Sequence, residues 1–121
     1  MYLCKNSRMT FHLAFLLLLA SGFDGRWIAS PVLGGKVRLN LQTILDLKIQ
    51  SGQVTGTVKP AAKDAAAVQI LDGHIDGDQI VFRTLFNSAE IIWTGRLDKN
   101  QLHLVRTTKG KPIGVGFLAR K

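Results

Sequence analysis

Lys36-Val37-Arg38-Leu39-Asn40-Leu41-Gln42-Thr43-Ile44-Leu45-Asp46-Leu47-Lys48-Ile49-Gln50 alternates almost without fault. Its odd positions are Val37, Leu39, Leu41, Thr43, Leu45, Leu47 and Ile49, and its even ones are polar or charged except Ile44. A period of two sends successive side chains to opposite faces of an extended strand, so one face is buried and the other wetted. Fifteen residues is long for one strand, and a bend or bulge near Thr43 is expected.

Outward from this stretch the same period recurs: Ile80, Phe82, Thr84, Phe86, then Ile91, Trp93, Gly95, Leu97, then Ile113, Val115, Phe117, Ala119. Only the short Ala-rich run 61–67, placed behind Pro60, has a helical composition. The connections between these rows share one plan. Lys48 to Val54, His74 to Ile80 and Arg96 to Leu102 each read basic residue or His, aliphatic, three turn residues, Gln, aliphatic. Gly, Asp and Asn supply the positive φ that tight hairpins need. The repeat allots about twelve residues to each strand with its turn, which divides the domain into about eight strands. The expected fold is all-β: an antiparallel up-and-down meander closing into a roughly eight-stranded barrel, since closure removes exposed edges. A two-layer β-sandwich is the alternative arrangement of the same strands.

At 121 residues the chain holds one domain with one modest core. The amino-terminal segment divides it further. Met1 to Thr10 carries Lys5 and Arg8, Phe11 to Ala20 is apolar apart from His12, and Ala20 and Gly22 are small. Basic, apolar and small-residue regions in that order make residues 1–22 a secretory signal peptide and leave 23–121 as the mature domain. Asp24 and Arg26 end the apolar run well short of the about twenty residues of a membrane-spanning helix. No stable membrane span is therefore expected after leader cleavage, and the protein is expected in the periplasm or outside the cell. Cys4, the single cysteine, lies in the leader, so the mature domain has no disulfide and no thiol chemistry.

Net charge is +8, of which Lys5 and Arg8 belong to the leader. The remaining excess is spread along the chain, with a mild concentration at Arg106, Lys109, Lys111, Arg120 and Lys121. Such a balance bears on association and solubility more than on fold. Base-stacking proteins present aromatics on an exposed basic face. Here strand parity separates the aromatics from the basic residues, which counts against nucleic acid.

Catalytic patterns are weak. Asp72, His74, Asp76 and Asp78 stand two apart, and a calcium loop read from Asp72 places Gly77 correctly but Arg83 where a bidentate Glu belongs. A hairpin turn explains the same residues, so no metal and no cofactor is expected. His74 and His103 lie near turns or strand starts, no Gly-x-Ser-x-Gly elbow exists, and Glu90 is the only Glu. The chain reads as a non-enzyme.

Trp27, Phe82, Phe86, Trp93 and Phe117 share inward parity and are the candidate ligand-binding residues. Barrels of this size are either filled by side chains or hold one small ligand. Gly56, Gly95, Gly114 and Gly116, within or beside expected strands, suggest space for a cavity.

Three pieces resemble the avidin and streptavidin barrels: Gly25-Arg26-Trp27, Ser51-Gly52-Gln53-Val54-Thr55-Gly56-Thr57-Val58 and Trp93-Thr94-Gly95, with a fainter echo in Ile113 to Phe117. The resemblance implies the barrel architecture. It does not extend to biotin, because the family's Tyr after Thr-Gly-Thr is Val58 here and its Asn after the first Trp is Ala29. The chain is also similar to small exported bacterial β domains with a repeated hairpin and no assigned activity. The expected function is an exported, non-enzymatic binding or accessory barrel, acting on a small apolar or glycan-like molecule or on a protein. The alternative is a solid barrel working through its surface as an enzyme inhibitor or structural protein.

Overall fold

The computed structural model describes residues 22–38, 41–62 and 64–121. The expected leader therefore lies outside the described residues except for Gly22. Eleven strands follow one another: β1 (Gly25–Leu33), β2 (Lys36–Val37), β3 (Thr43–Gln50), β4 (Gln53–Lys59), β5 (Val68–Gln69), β6 (Leu71–Asp76), β7 (Gln79–Phe86), β8 (Ala89–Asp98), β9 (Gln101–Thr108), β10 (Lys111–Pro112) and β11 (Phe117–Arg120). No helix occurs among the described residues, and so none is long and apolar enough to cross a membrane.

Eight strands form the wall in the order β9-β11-β1-β3-β4-β6-β7-β8, and β8 pairs back onto β9. Every neighbour is antiparallel. One closed sheet is present, which decides for the up-and-down barrel over the sandwich.

Two departures from plain alternation shape it. The long row 36–50 does not run as one inward face. Val37 pairs with Val32 and Thr43 with Ala29, so the register against β1 shifts between β2 and β3. Val37 and Leu41 are consequently exposed, and the inward row begins only at Thr43. The second departure is Asp72, at a positive φ of 51°. Before it Val68 and Ile70 face inward, after it Ile75 does, and the register against β7 shifts between Leu71 and His74. A bulge adds a residue and so exchanges the faces of everything that follows. The closing row is also shorter than its alternation implies, since Gly114 at φ 63° interrupts it and β11 starts at Phe117.

The three repeated hairpins all lie at one end. Gln50 pairs with Gln53, Asp76 with Gln79 and Asp98 with Gln101, leaving two-residue turns in each case. Their equivalent aliphatic N–H groups are satisfied in parallel fashion. Ile49 donates to Asp24 Oδ1 at 3.1 Å, Ile75 to the Gly52 carbonyl at 2.9 Å and Leu97 to the Asp78 carbonyl at 3.0 Å. Phe23 is buried at this end, and its carbonyl accepts from Trp27 Nε1 at 2.9 Å. Behind it Trp27, Leu45, Ile80, Leu102, Leu104 and Ala119 are almost fully buried. We call this the closed end.

Gly95 lies in the same packed half. A Cβ there would meet Ile80 and Leu104 at 2.8 Å and Leu102 at 3.1 Å. At Gly56 a Cβ would run into the Asp46 carbonyl of the neighbouring strand. Neither glycine opens a cavity, contrary to expectation, because neighbouring strands have filled the volume that each leaves.

Candidate functional site

At the opposite end the connections are unlike one another: two-residue turns at 34–35, 87–88 and 109–110 stand beside the longer segments 60–67 and 113–116. A cavity of about 190 Å³ enters the barrel there, lined by Thr43, Val58, Pro60, Phe86, Ile91, Trp93 and Arg106. Its walls come from β3, β4, β7, β8 and β9, so the open end of the barrel itself forms the site. Larger hollows of about 630 and 430 Å³ lie elsewhere, one against Lys99, Asn100 and Gln101 beside Gly22, the other along Ile28, Val37 and Leu118. The first also touches the buried Trp27 and the half-buried Leu97; otherwise both are built mainly from turns and outward-facing side chains. The smaller cavity is the one walled mainly by side chains of five strands around the barrel mouth.

Phe82, Trp93 and Arg106 form a row across β7, β8 and β9, since Phe82 pairs with Trp93 and Trp93 with Arg106. The Trp93 ring stacks on Phe82 at 5.8 Å and on Phe117 at 5.9 Å between centroids. Its Nε1 donates to the buried Thr84 Oγ1 at 2.9 Å, which holds the indole plane in place. The Arg106 guanidinium lies against the same aromatics, 4.7 Å from the Phe117 centroid and 5.7 Å from that of Trp93.

The five candidate aromatics are therefore not equivalent. Phe86 and Trp93 line the cavity. Phe82 and Phe117 support Trp93 from either side. Trp27 belongs to the closed end, where Lys121 Nζ lies 5.2 Å from its ring centroid.

Arg106 is what the residue pattern should have disclosed. It continues the row Leu102, Leu104, Arg106 on β9, so it shares the inward face with Trp93. The expected separation of aromatic and basic faces fails here. A positive side chain can enter because space is left for it: a Cβ at Gly114 would overlap Arg106 Nη2. The loop is fixed over it by the Ile113 N–H, which donates to the Arg106 carbonyl at 3.0 Å.

Electrostatically Arg106 differs from the arginines on the wall. Arg26 donates to Asp46 at 2.8 and 3.3 Å, and Arg83 donates to Asp72 and to Glu90, the latter at 3.3 Å. Hydrogen bonding to these carboxylates raises the pKa of both. Arg106 moves the other way, lowered by desolvation, and its buried Nε has no protein acceptor among the described residues.

Asp72, His74, Asp76 and Asp78 are exposed, and Asp72 and Asp78 face Arg83 and Arg96. No group of three or more metal-ligating side chains comes together among the described residues.

Neither a protein-family model nor a curated protein matches the chain. Among solved structures, a mutant of the fluorescent protein UnaG is similar over 84% of this chain and 96% of that chain, with a TM-score of 0.53 and 11% identity. Likeness at that identity concerns the fold, and it agrees with the closed barrel. The avidin resemblance of the short motifs holds at the level of a barrel and no finer. Val58, standing where that family has its Tyr, contributes an aliphatic wall to the cavity.

Proposed function

We propose that this chain is an exported, non-enzymatic binding barrel that admits one small ligand at its open end. The observation that carries the reading is the cavity of about 190 Å³ walled by Val58, Phe86, Ile91 and Trp93. It is smaller than the about 300–1,000 Å³ of drug-sized pockets, so the ligand is compact. The similar fold of a fluorescent protein supports a ligand-holding interior without naming the ligand. The order of basic, apolar and small residues in 1–22 supports export to the periplasm or beyond. A glycan or protein partner fits this cavity less well, since its walls are mostly apolar.

The two tryptophans make the reading testable because they sit at opposite ends. In a Trp27→Phe variant, a neutral ring such as benzyl alcohol should change the remaining Trp93 fluorescence in a saturable way. A Trp93→Phe variant should stay silent. Silence in both removes the binding reading. Export is checked separately by intact mass after secretion from a bacterial host: the expected product starts at Phe23, and recovery of an uncleaved membrane-embedded chain would overturn it.

A further inference from the structure

We infer that the open-end cavity takes a small carboxylate carrying one flat apolar ring, with Arg106 as the anchor of the carboxylate. The inference rests on the binding reading above and adds the chemical class of the ligand.

A guanidinium withdrawn from water without a counter-ion is costly, and natural structures keep such groups paired. Arg26 and Arg83 obey this rule with acidic partners. Arg106 does not, and its Nε is buried without a protein acceptor among the described residues. The faces of Phe117 and Trp93 return part of the cost through cation–π attraction. That contact supplies no acceptor to its N–H groups, and the buried Nε has none in the protein among the described residues. A planar fork of donors matches a carboxylate, which accepts two parallel hydrogen bonds.

The surroundings agree on sign. Lys36, Arg38, Lys59, Lys109 and Lys111 stand on the strand ends and turns of the open end, against Asp64 and the Arg83-bound pair Asp72 and Glu90. At the closed end Asp24, Asp46, Asp76, Asp78 and Asp98 offset the basic residues. A mouth with an excess of positive charge draws anions toward the cavity.

The rest of the ligand follows from the walls. Val58, Phe86, Ile91 and Trp93 offer apolar and aromatic surface, and Thr43 is the only neutral side-chain hydroxyl among the lining residues. One charge and one apolar body are thus matched, whereas a dianion would bring a second charge with no second cation lining the cavity. Benzene occupies an engineered cavity of about 150 Å³, so a volume of about 190 Å³ suits a single ring with a carboxylate.

Benzoate and benzyl alcohol share a ring and differ in charge, which makes them the probes. Both are titrated into the secreted protein in the Trp27→Phe background at low salt. Benzoate should bind about ten-fold or more tightly than benzyl alcohol, the usual size of a charge-assisted hydrogen bond. Arg106→Met should remove that preference, so that benzoate binds no more tightly than benzyl alcohol, and Arg106→Lys should restore only part of it. Gly114→Ala, which displaces the guanidinium without removing it, should weaken benzoate selectively. Equal binding of the two probes in the parent, or benzoate binding that survives Arg106→Met, overturns the carboxylate inference and leaves the binding reading standing. Binding of neither probe overturns both.

Discussion

The two ends of this barrel are made by the same eight strands and obey different rules. At the closed end three hairpins of one plan succeed each other, and each equivalent N–H finds an acceptor in the residue just ahead of an earlier strand. Side chains from β1, β3, β7, β9 and β11 fill the volume to near-zero exposure. At the open end the plan is abandoned. The connections differ in length, Gly114 departs from strand geometry, and a charged side chain enters the aromatic row. Regular repeats give these backbone groups matching partners, and the interior behind them is filled by side chains. A site needs irregular connections on a rigid scaffold, which is why binding residues gather where loops meet strand ends. Here tight packing is concentrated at one end and the candidate site lies at the other.

The sharpest break of that comparison would come from the aromatics. Trp27→Ala at the closed end should cost roughly 3–5 kcal/mol in urea unfolding, as expected for a fully buried large side chain. Phe86→Ala borders an existing cavity and is only half-buried, so its cost should be about half as large. Equal losses would mean that the open end is packed as firmly as the closed one.

Added volume probes the same contrast. Gly95→Leu should lose about 1–3 kcal/mol through overpacking, since a Cβ already meets Ile80 and Leu104 at 2.8 Å. Val58→Ile pushes a methyl group into the open-end cavity and should be neutral or stabilising by up to about 1 kcal/mol. Destabilisation by both to a similar degree would show that no usable space exists at either end. Gly114→Ala comes next. Its φ of 63° favours glycine, so about 1–2 kcal/mol should be lost. A neutral result would mean that the 113–116 loop relaxes freely and does not hold Arg106.

The fold was legible where alternation and turn chemistry agreed. The rows Ile80 to Phe86 and Ile91 to Leu97 face inward as read, and the shared hairpin plan identifies the closed end. Legibility failed where one inserted residue or loop changed parity. Nothing in Val37 and Leu41 distinguishes an inward row from one displaced by the register shift between β2 and β3, and Asp72 resembles a turn residue rather than a bulge. Turn chemistry misled in detail as well: Lys99 takes positive φ while Asn100 does not. The site was half-legible. Phe86 and Trp93 were found by parity, and Arg106 was available from the same rule, since it follows Leu102 and Leu104. It was missed because charge was read as a marker of the outer face. Cavity position was not readable at all, for Gly95 and Gly114 look alike in sequence while the space beside one is filled by leucines and isoleucine and beside the other by a guanidinium.

The smallest expected effect is also the most discriminating. Arg106→Met exchanges a charged side chain for an apolar one of similar length in a slot between Phe117 and the cavity. Lost with the guanidinium is its attraction to two aromatic faces, about 0.5–2 kcal/mol when desolvated. Gained is release from burying a cation whose Nε has no protein acceptor, together with the favourable contact of a thioether with aromatic edges. Replacing buried charge by well-packed apolar groups is often neutral or stabilising, so unfolding free energy should change by less than about 1 kcal/mol, on the stabilising side. A residue maintained for structure behaves differently: removing it from a satisfied network should cost about 3–5 kcal/mol, as breaking a buried pair does. A loss of that size would make Arg106 a strut of the core and erase the distinction between the two ends. Unchanged or increased stability means that the fold does not need this charge, and a charge kept inside an aromatic row without benefit to the fold is best accounted for by what binds to it.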